Sequence, residues 1–262
     1  MVPKGAERAS LVNDVPASGF APVGHTLVID WAPTLRYYEH RLEPLVRLED
    51  RHLLRSFRVT PDEVGGRLAA TELSIRSSRL SLVSPSPTDE DVCLTIIRDV
   101  IETLRPKQFT QLAIWLQYVV PLADVSYDRA RQKGLEVFEG VDMAGAGATD
   151  FAFILTGDSE HLQWNLEAGI IAQNEVVPRV LRQVGGYTRV PSSPVVLEAL
   201  GSPPPVAFFC DSAWFVKNIV PSGDSVEWLL ENLSEIQDQA RRVIPRIHEG
   251  ITHSAPAREG VQ

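Results

Sequence analysis

The clearest pattern of polar and apolar positions in the chain lies between residues 151 and 170. Phe151–Thr156 and His161–Ile170 read as two strands joined by the polar turn 157–160. In the second strand every other residue is apolar, at Leu162, Trp164, Leu166, Ala168 and Ile170. Because successive side chains of a strand point to opposite faces, this alternation predicts an antiparallel sheet with one face on a core and the other polar.

Similar patterns predict further elements on both sides of this hairpin. Stretches rich in β-branched and aromatic residues predict strands over Thr26–Trp31, Leu53–Val59, Glu72–Ser77, Leu80–Val83, Gln111–Pro121 and Val206–Val216. Apolar residues at helical spacing predict helices over 88–104, Tyr127–Phe138, Asn174–Gln183 and from Asp224 onward. The last helix has a continuous apolar stripe, and we expect Pro245 to kink or end it.

These elements predict an α+β protein with a largely antiparallel sheet and a long C-terminal helix packed on it. Residues 71–138 and 151–248 share the order strand, strand, helix, strand, helix, so two duplicated ββαβα blocks are a hypothesis.

The composition of the termini and of two internal segments predicts the domain boundaries. We expect one domain over 21–250 with possible sub-blocks 21–140 and 150–250, a flexible tail at 1–20 and a second tail at 251–262. Segment 140–150 reads as a linker and 185–205 as a long loop.

Composition and charge narrow the classes of function. The formal net charge of −9 would repel a phosphate backbone, so nucleic acid is not an expected partner. Two cysteines do not indicate a disulfide framework, and no apolar stretch is long enough to cross a bilayer. We therefore expect a soluble, cytoplasmic, acidic protein that has no membrane partner.

Motifs that resemble cofactor, nucleophile and metal sites all lack the context that they require. Gly145–Asp150 begins like a dinucleotide fingerprint, but a strand follows it instead of a helix. Gly157–His161 contains serine and histidine in a hairpin turn, without the second glycine of a nucleophile elbow. The six histidines show no metal-ligand spacing. We therefore expect no cofactor and no metal.

The polar face of the strand 161–170 is the remaining candidate site, although a solvated sheet face has the same pattern. His161 and Glu167 are weak candidates for proton transfer, and Gln163 and Asn165 are candidates for binding. Trp228 is a further binding candidate, because at the edge of the apolar stripe it could cover a sheet margin or meet another subunit.

Three stretches carry a family resemblance: Ala113–Val119, Val206–Asp211 and the terminal helix running into residues 250–252. Together they resemble the sporadically distributed family of uncharacterised bacterial proteins, over about half of the chain. Members typically carry an Arg-Tyr pair and a nearby Asn in the central strand, where this chain has Gln117, Tyr118 and Val120. Their late strand usually ends in two aspartates separated by one residue, and here only Asp211 corresponds. The resemblance implies architecture and brings no activity.

Two functions of different classes remain. The leading hypothesis is a non-catalytic binding or assembly protein that acts through protein-protein contacts in the bacterial cytoplasm, with a protein partner or as a homo-oligomer. The alternative is an enzyme, possibly a hydrolase, whose site combines the polar face of strand 161–170 with the 185–205 loop.

Overall fold

The structure, a computed structural model, describes eight ranges of the chain. They are residues 22–68, 70–84, 90–123, 125–136, 151–181, 200–217, 219 and 225–252. The predicted tail at 1–20, the linker 140–150, most of the 185–205 loop and residues 253–262 lie outside these ranges.

The described strands form one antiparallel sheet. They are β1 (Pro22–Trp31), β2 (Ser56–Val59), β3 (Glu63–Leu68), β4 (Thr71–Arg76), β5 (Arg79–Ser84), β6 (Phe109–Pro121), β7 (Phe151–Asp158), β8 (Leu162–Ala172) and β9 (Val206–Val216). Their order across the sheet is β2-β3-β4-β5-β1-β6-β9-β8-β7, and each neighbouring pair is antiparallel. The predicted α+β class with a largely antiparallel sheet is thereby confirmed.

Helices cover the two faces of this sheet unequally. They are α1 (Arg36–His40), α2 (Glu43–Asp50), α3 (Glu90–Leu104), α4 (Tyr127–Glu136), α5 (Gln173–Leu181) and α6 (Ser225–Thr252). Buried residues of all except α5 join one cluster with strand residues such as Leu27, Ile114 and Phe208, and we call that side the core face. Residues of α5 pack on the opposite side with Phe209 and Val119, and we call that side the α5 face.

The C-terminal helix packs on the sheet as predicted, because the apolar stripe of α6 is buried at Leu229, Ile236 and Ile244. The helix does not end at Pro245 and continues to Thr252. Ile251 is buried, so α6 extends two residues into the segment predicted to be a tail. Buried contacts at Ile244 and Ile251, on either side of the proline, hold the last turns in place.

Helices α1 and α2 and strand β3 were not predicted from the sequence. Each helix is short, and the pair is interrupted at Arg41 and Leu42. Strand β3 contains two adjacent glycines, which weaken a strand pattern because they bring no side chain to pack. All three elements are held mainly by tertiary contacts to the core face.

The proposed duplication is reproduced in element order but not in strand direction. The elements with described bounds run strand, strand, helix, strand, helix in both segments, as β4-β5-α3-β6-α4 and β7-β8-α5-β9-α6. Strands β5 and β6 are each antiparallel to β1, so they run parallel to each other across it. The corresponding strands β8 and β9 are antiparallel neighbours. The two blocks therefore do not share a topology.

Candidate functional site

The polar residues of β8 lie on the α5 face, as the alternation predicted. Leu162, Leu166, Ala168 and Ile170 of the same strand are buried on the core face, and Trp164 packs against that cluster. On the other side, Gln163 is exposed, whereas Asn165 and Glu167 are half-buried. Register places Asn165 between Thr156 and Ala213.

His161 does not belong to this polar row. The strand β7 continues to Asp158, so the turn comprises residues 159–161 instead of the predicted 157–160. Ser159 fixes the turn, because its backbone N–H donates to the Leu162 carbonyl at 2.8 Å and its hydroxyl accepts from the Leu162 N–H at 3.0 Å. His161 is therefore an exposed turn residue at the beginning of β8.

His161 and Glu167 lie too far apart to act together in proton transfer. Six residues of an extended strand span roughly 20 Å, far beyond hydrogen-bond reach. His161 contributes its backbone carbonyl, which accepts from the Lys217 N–H at 2.7 Å. The hydrolase alternative also includes the 185–205 loop, most of which lies outside the described residues, so it stays a prediction without this residue pair.

Glu167 instead fixes α5 to the sheet. Its carboxylate forms an ion pair with Arg179 of α5, and both side chains are largely withdrawn from solvent. The Arg179 guanidinium also lies over the Phe209 ring, 4.4 Å from the centroid. Because the same cation meets a carboxylate and an aromatic face, the pair positions the helix.

Two further hydrogen bonds hold the ends of α5. The Glu175 carboxylate accepts from the Ala172 N–H at 2.9 Å, which satisfies a backbone donor at the start of the helix. The Gln117 side-chain amide donates to the Val180 carbonyl at 3.2 Å, at the end of the helix. One end of α5 is therefore held by its own Glu175 and the other by Gln117 of the sheet.

A buried acidic residue that sequence reasoning did not assign to the site lies beside Glu167. Register pairs Asp211 of β9 with Glu167 on one side and with Gln117 on the other, and Asp211 is buried. The alternation of β9 could not reveal it, because β9 is buried on both faces. Gln117 and Asp211 are direct neighbours across β6 and β9.

This cluster of Glu167, Asp211, Gln117 and Arg179 has the geometry of a structural network. Among the described residues, no group of three or more His, Cys, Asp or Glu side chains is placed to hold a metal ion. The Gln117 amide and the Glu167 carboxylate both bind α5, and the Arg179 guanidinium lies over the ring of Phe209.

Trp228 lies on the opposite side of the sheet from this network. Its ring stacks on Phe109 at the beginning of β6, with the centroids 6.4 Å apart, and packs against the core cluster. Its backbone carbonyl accepts from the Asn232 side chain at 2.7 Å. Trp228 therefore covers the beginning of the central strand β6, and its role in binding stays a prediction.

Three titratable groups are buried on the core face. Burial lowers the pKa of His25 to about 4 and raises the pKa values of Tyr118 and Cys210 above their ordinary values. All three are held neutral near pH 7. Tyr118 and Cys210 are paired across β6 and β9, so the thiol lies in the core and not in an electropositive, accessible environment.

Exposed apolar side chains are grouped in three regions that the sequence analysis did not identify. The first is the outer side of α1 and α2, where Leu35, Tyr38, Leu42 and Val46 are exposed; we call these residues the outer stripe. The second and third are the two edges of the sheet, with Ile154 and Leu155 exposed at β7 and Phe57 and Val59 exposed at β2. Exposed apolar residues in groups are typical of interaction surfaces.

Comparison with protein-family models and with curated proteins gives no match to this chain. Among the described residues, no helix has the length and hydropathy needed to cross a membrane.

Proposed function

We propose that this protein is a non-catalytic binding protein that acts through protein contacts, and that the outer stripe receives a helix of its partner. The observation that carries the proposal is the exposure of these four apolar side chains, with Leu35 82% exposed. Burying an exposed side chain of this size contributes about 1.5–3 kcal/mol, so the stripe is a substantial source of affinity.

The spacing of the outer stripe supports a helical partner. The residues are separated by three, four and four positions, which is the spacing of neighbours on one side of a helix. Leu35, Arg41 and Leu42 have right-handed helical backbone angles although they lie outside α1 and α2. The four side chains therefore form one row along three turns, the pattern by which helices pack on helices.

The opposite side of the same helices holds the stripe in a fixed position. Tyr37 is fully buried and donates its hydroxyl to the Ile75 carbonyl at 3.3 Å. Arg51, directly after α2, forms an ion pair with the buried Asp99 of α3 at 2.6 Å. A surface supported in this way loses little conformational freedom on binding, which favours affinity.

The test combines site-specific photo-cross-linking at Val46 in cells with binding measurements on the partner that it captures. We expect the cross-link to fall on an amphipathic helix of another protein. With that purified partner, the double substitution Leu42→Glu and Val46→Glu should raise the Kd at least about tenfold.

The matched control is Val177→Glu, which adds the same charge to an exposed apolar residue of α5. It should leave the Kd unchanged, and circular dichroism should show that all variants are folded. Equal Kd values for the double variant and the wild type, or a cross-link that falls on no helix, would contradict the proposal.

We propose further that this binding takes place in a reducing bacterial cytoplasm. Both cysteines are thiols in the structure, with Cys210 fully buried on the core face. A reducing compartment preserves such thiols. Fractionation of cells expressing the tagged chain tests the location, and recovery from an extracytoplasmic fraction would contradict it.

A further inference from the structure

We propose that β7 pairs in antiparallel fashion with β7 of a second copy of this chain, so that two nine-stranded sheets join across a two-fold axis. This surface lies at the opposite edge of the sheet from β2, and the proposal does not depend on the outer stripe.

Hydrogen bonds at the β7–β8 turn show which backbone groups of β7 face outward. The Leu162 carbonyl accepts from Ser159, on the β7 side, whereas the His161 carbonyl accepts from Lys217, on the β9 side. Since backbone groups alternate in direction along an antiparallel strand, even-numbered residues of β8 bond toward β7. The register pairs these with odd-numbered residues of β7, such as Leu155 with Leu166.

The even-numbered residues of β7 therefore direct their N–H and C=O groups away from the sheet. These residues are Ala152, Ile154, Thr156 and Asp158. No described residue donates to or accepts from these outward groups. A row of such groups is a template for another strand.

The side chains of β7 do nothing to block that pairing. Residues 151–157 carry no charge and no proline, and β7 is eight residues long. Ile154 is 71% exposed on the α5 face and Leu155 is 40% exposed on the core face. Sheet edges that must stay single are usually short or carry charges.

The other edge of the same sheet provides the contrast. Strand β2 has four residues, contains Arg58, and is followed by Pro61. The Arg58 guanidinium forms ion pairs with Glu63 and Glu72 of the neighbouring strands. One edge is therefore protected by the usual devices and the other is not.

The self-complementary register of β7 favours a second copy as the occupant. The formal net charge of −9 on each copy opposes association, but residues 151–157 carry no charge, so two β7 strands can meet without direct charge repulsion. A register centred on Leu155 places Asp158, the single charged residue of β7, opposite Ala152 of the other copy. Leu155 then faces its own counterpart, and Phe153 faces Gly157, over which the Trp164 ring lies.

The first test is a cysteine cross-link at the two-fold axis. In this register Leu155 of one copy lies opposite Leu155 of the other, and the two residues do not hydrogen-bond to each other. The α-carbons of such a pair are about 4.5 Å apart, and this separation suits a disulfide. We expect Leu155→Cys to yield a cross-linked dimer under mild oxidation. Wild type, with Cys93 and Cys210, and Val59→Cys at the other edge should stay uncross-linked.

The second test measures self-association by sedimentation velocity over a range of protein and salt concentrations. Ile154→Pro removes an outward N–H without breaking a hydrogen bond to β8. It should therefore raise the dissociation constant of the dimer about tenfold or more. Val59→Lys, at the other edge, should leave it unchanged. Raising the salt concentration should strengthen the wild-type dimer, because it screens the repulsion between like-charged copies.

A monomeric wild type at all concentrations, or a dimer that persists in Ile154→Pro and does not cross-link through Leu155→Cys, would overturn the proposal. The outer-stripe double variant should dimerise like the wild type, so failure of this inference and failure of the proposed function are distinguished.

Discussion

At the scale of single residues, His25 is a buried group whose ionisation affects stability. It lies on the core face of β1 between Ser84 and Leu116, it is 8% exposed, and its Nε2 has no hydrogen-bond partner among the described residues. Burial lowers the pKa of this imidazole from 6.5 to about 4. Protonation must therefore favour the unfolded chain.

We predict that His25 makes stability depend on pH between 6.5 and 4. In that window the unfolded chain binds more protons than the folded one, so the contribution is complete above pH 6.5 and is lost as the pH falls through 4. The loss is roughly 3 kcal/mol of the free energy of unfolding. Urea unfolding at a series of pH values should show this slope reduced in His25→Leu. An unchanged slope in His25→Leu would contradict the prediction.

Gly157 is the second residue at which the structure permits a sharp prediction. A β-carbon at this position would overlap the indole ring of Trp164, which itself packs on Trp214 with the ring centroids 5.5 Å apart. Gly157→Ala should therefore lower the free energy of unfolding by about 1–3 kcal/mol, as overpacking does. Gly250 of α6 has open space around it, so Gly250→Ala should stabilise by up to about 1 kcal/mol. Thermal unfolding of the two variants compares them directly, and equal effects would be inconsistent with this account.

At the scale of elements, α5 depends on the network around Glu167. Glu167→Gln removes the ion pair with Arg179 and leaves that cation against Phe209 without its carboxylate. We expect a loss of about 1–2 kcal/mol in the free energy of unfolding and faster amide hydrogen exchange within residues 173–181. We expect both effects because the ion pair joins α5 to the strand beneath it.

The control for this prediction is Asp158→Asn, which removes the more exposed ion pair with Lys217. Exposed pairs contribute well under about 1 kcal/mol, so this variant should resemble the wild type in stability and in exchange of α5. Unchanged exchange of α5 in Glu167→Gln would show that the pair does not position the helix.

At the scale of the whole molecule, the two predicted sub-blocks share one sheet and one core. Strands β6 and β9, one from each block, pair from Ala113 with Phe215 to Pro121 with Ala207. The main core cluster contains residues from Leu27 to Ile251. Separation of the blocks would expose both the strand edge and the apolar side of α6.

We therefore predict that the chain unfolds in a single cooperative transition. Calorimetry should give one peak whose calorimetric and van't Hoff enthalpies agree. A fragment comprising residues 21–140 should fail to fold by itself, since β6 would become an unprotected edge. Two separate transitions, or a folded fragment, would contradict the single-domain prediction.

Features that depend on local interactions were predicted from the sequence more accurately than features that depend on distant contacts. Val206–Val216 was predicted with its observed bounds, because a long run of buried β-branched and aromatic residues is itself diagnostic. The polar side of β8 was also predicted, but the position of His161 was not, since a two-residue shift of the turn depends on the Ser159 hydrogen bonds. Arg179 and Asp211 could not be assigned to Glu167 because neither is its neighbour in the chain.

The sequence by itself determined the class of the fold, most of its strands and helices, and which side of β8 is buried. These properties follow from the periodicity of side chains along each element, which needs no knowledge of its neighbours. Only the tertiary structure decided the strand order, the cover of the α5 face, the use of Glu167 as an anchor for α5 and the exposure of the outer stripe and of β7. Each of these depends on which distant segments meet, and that choice is made by the packing of the whole chain.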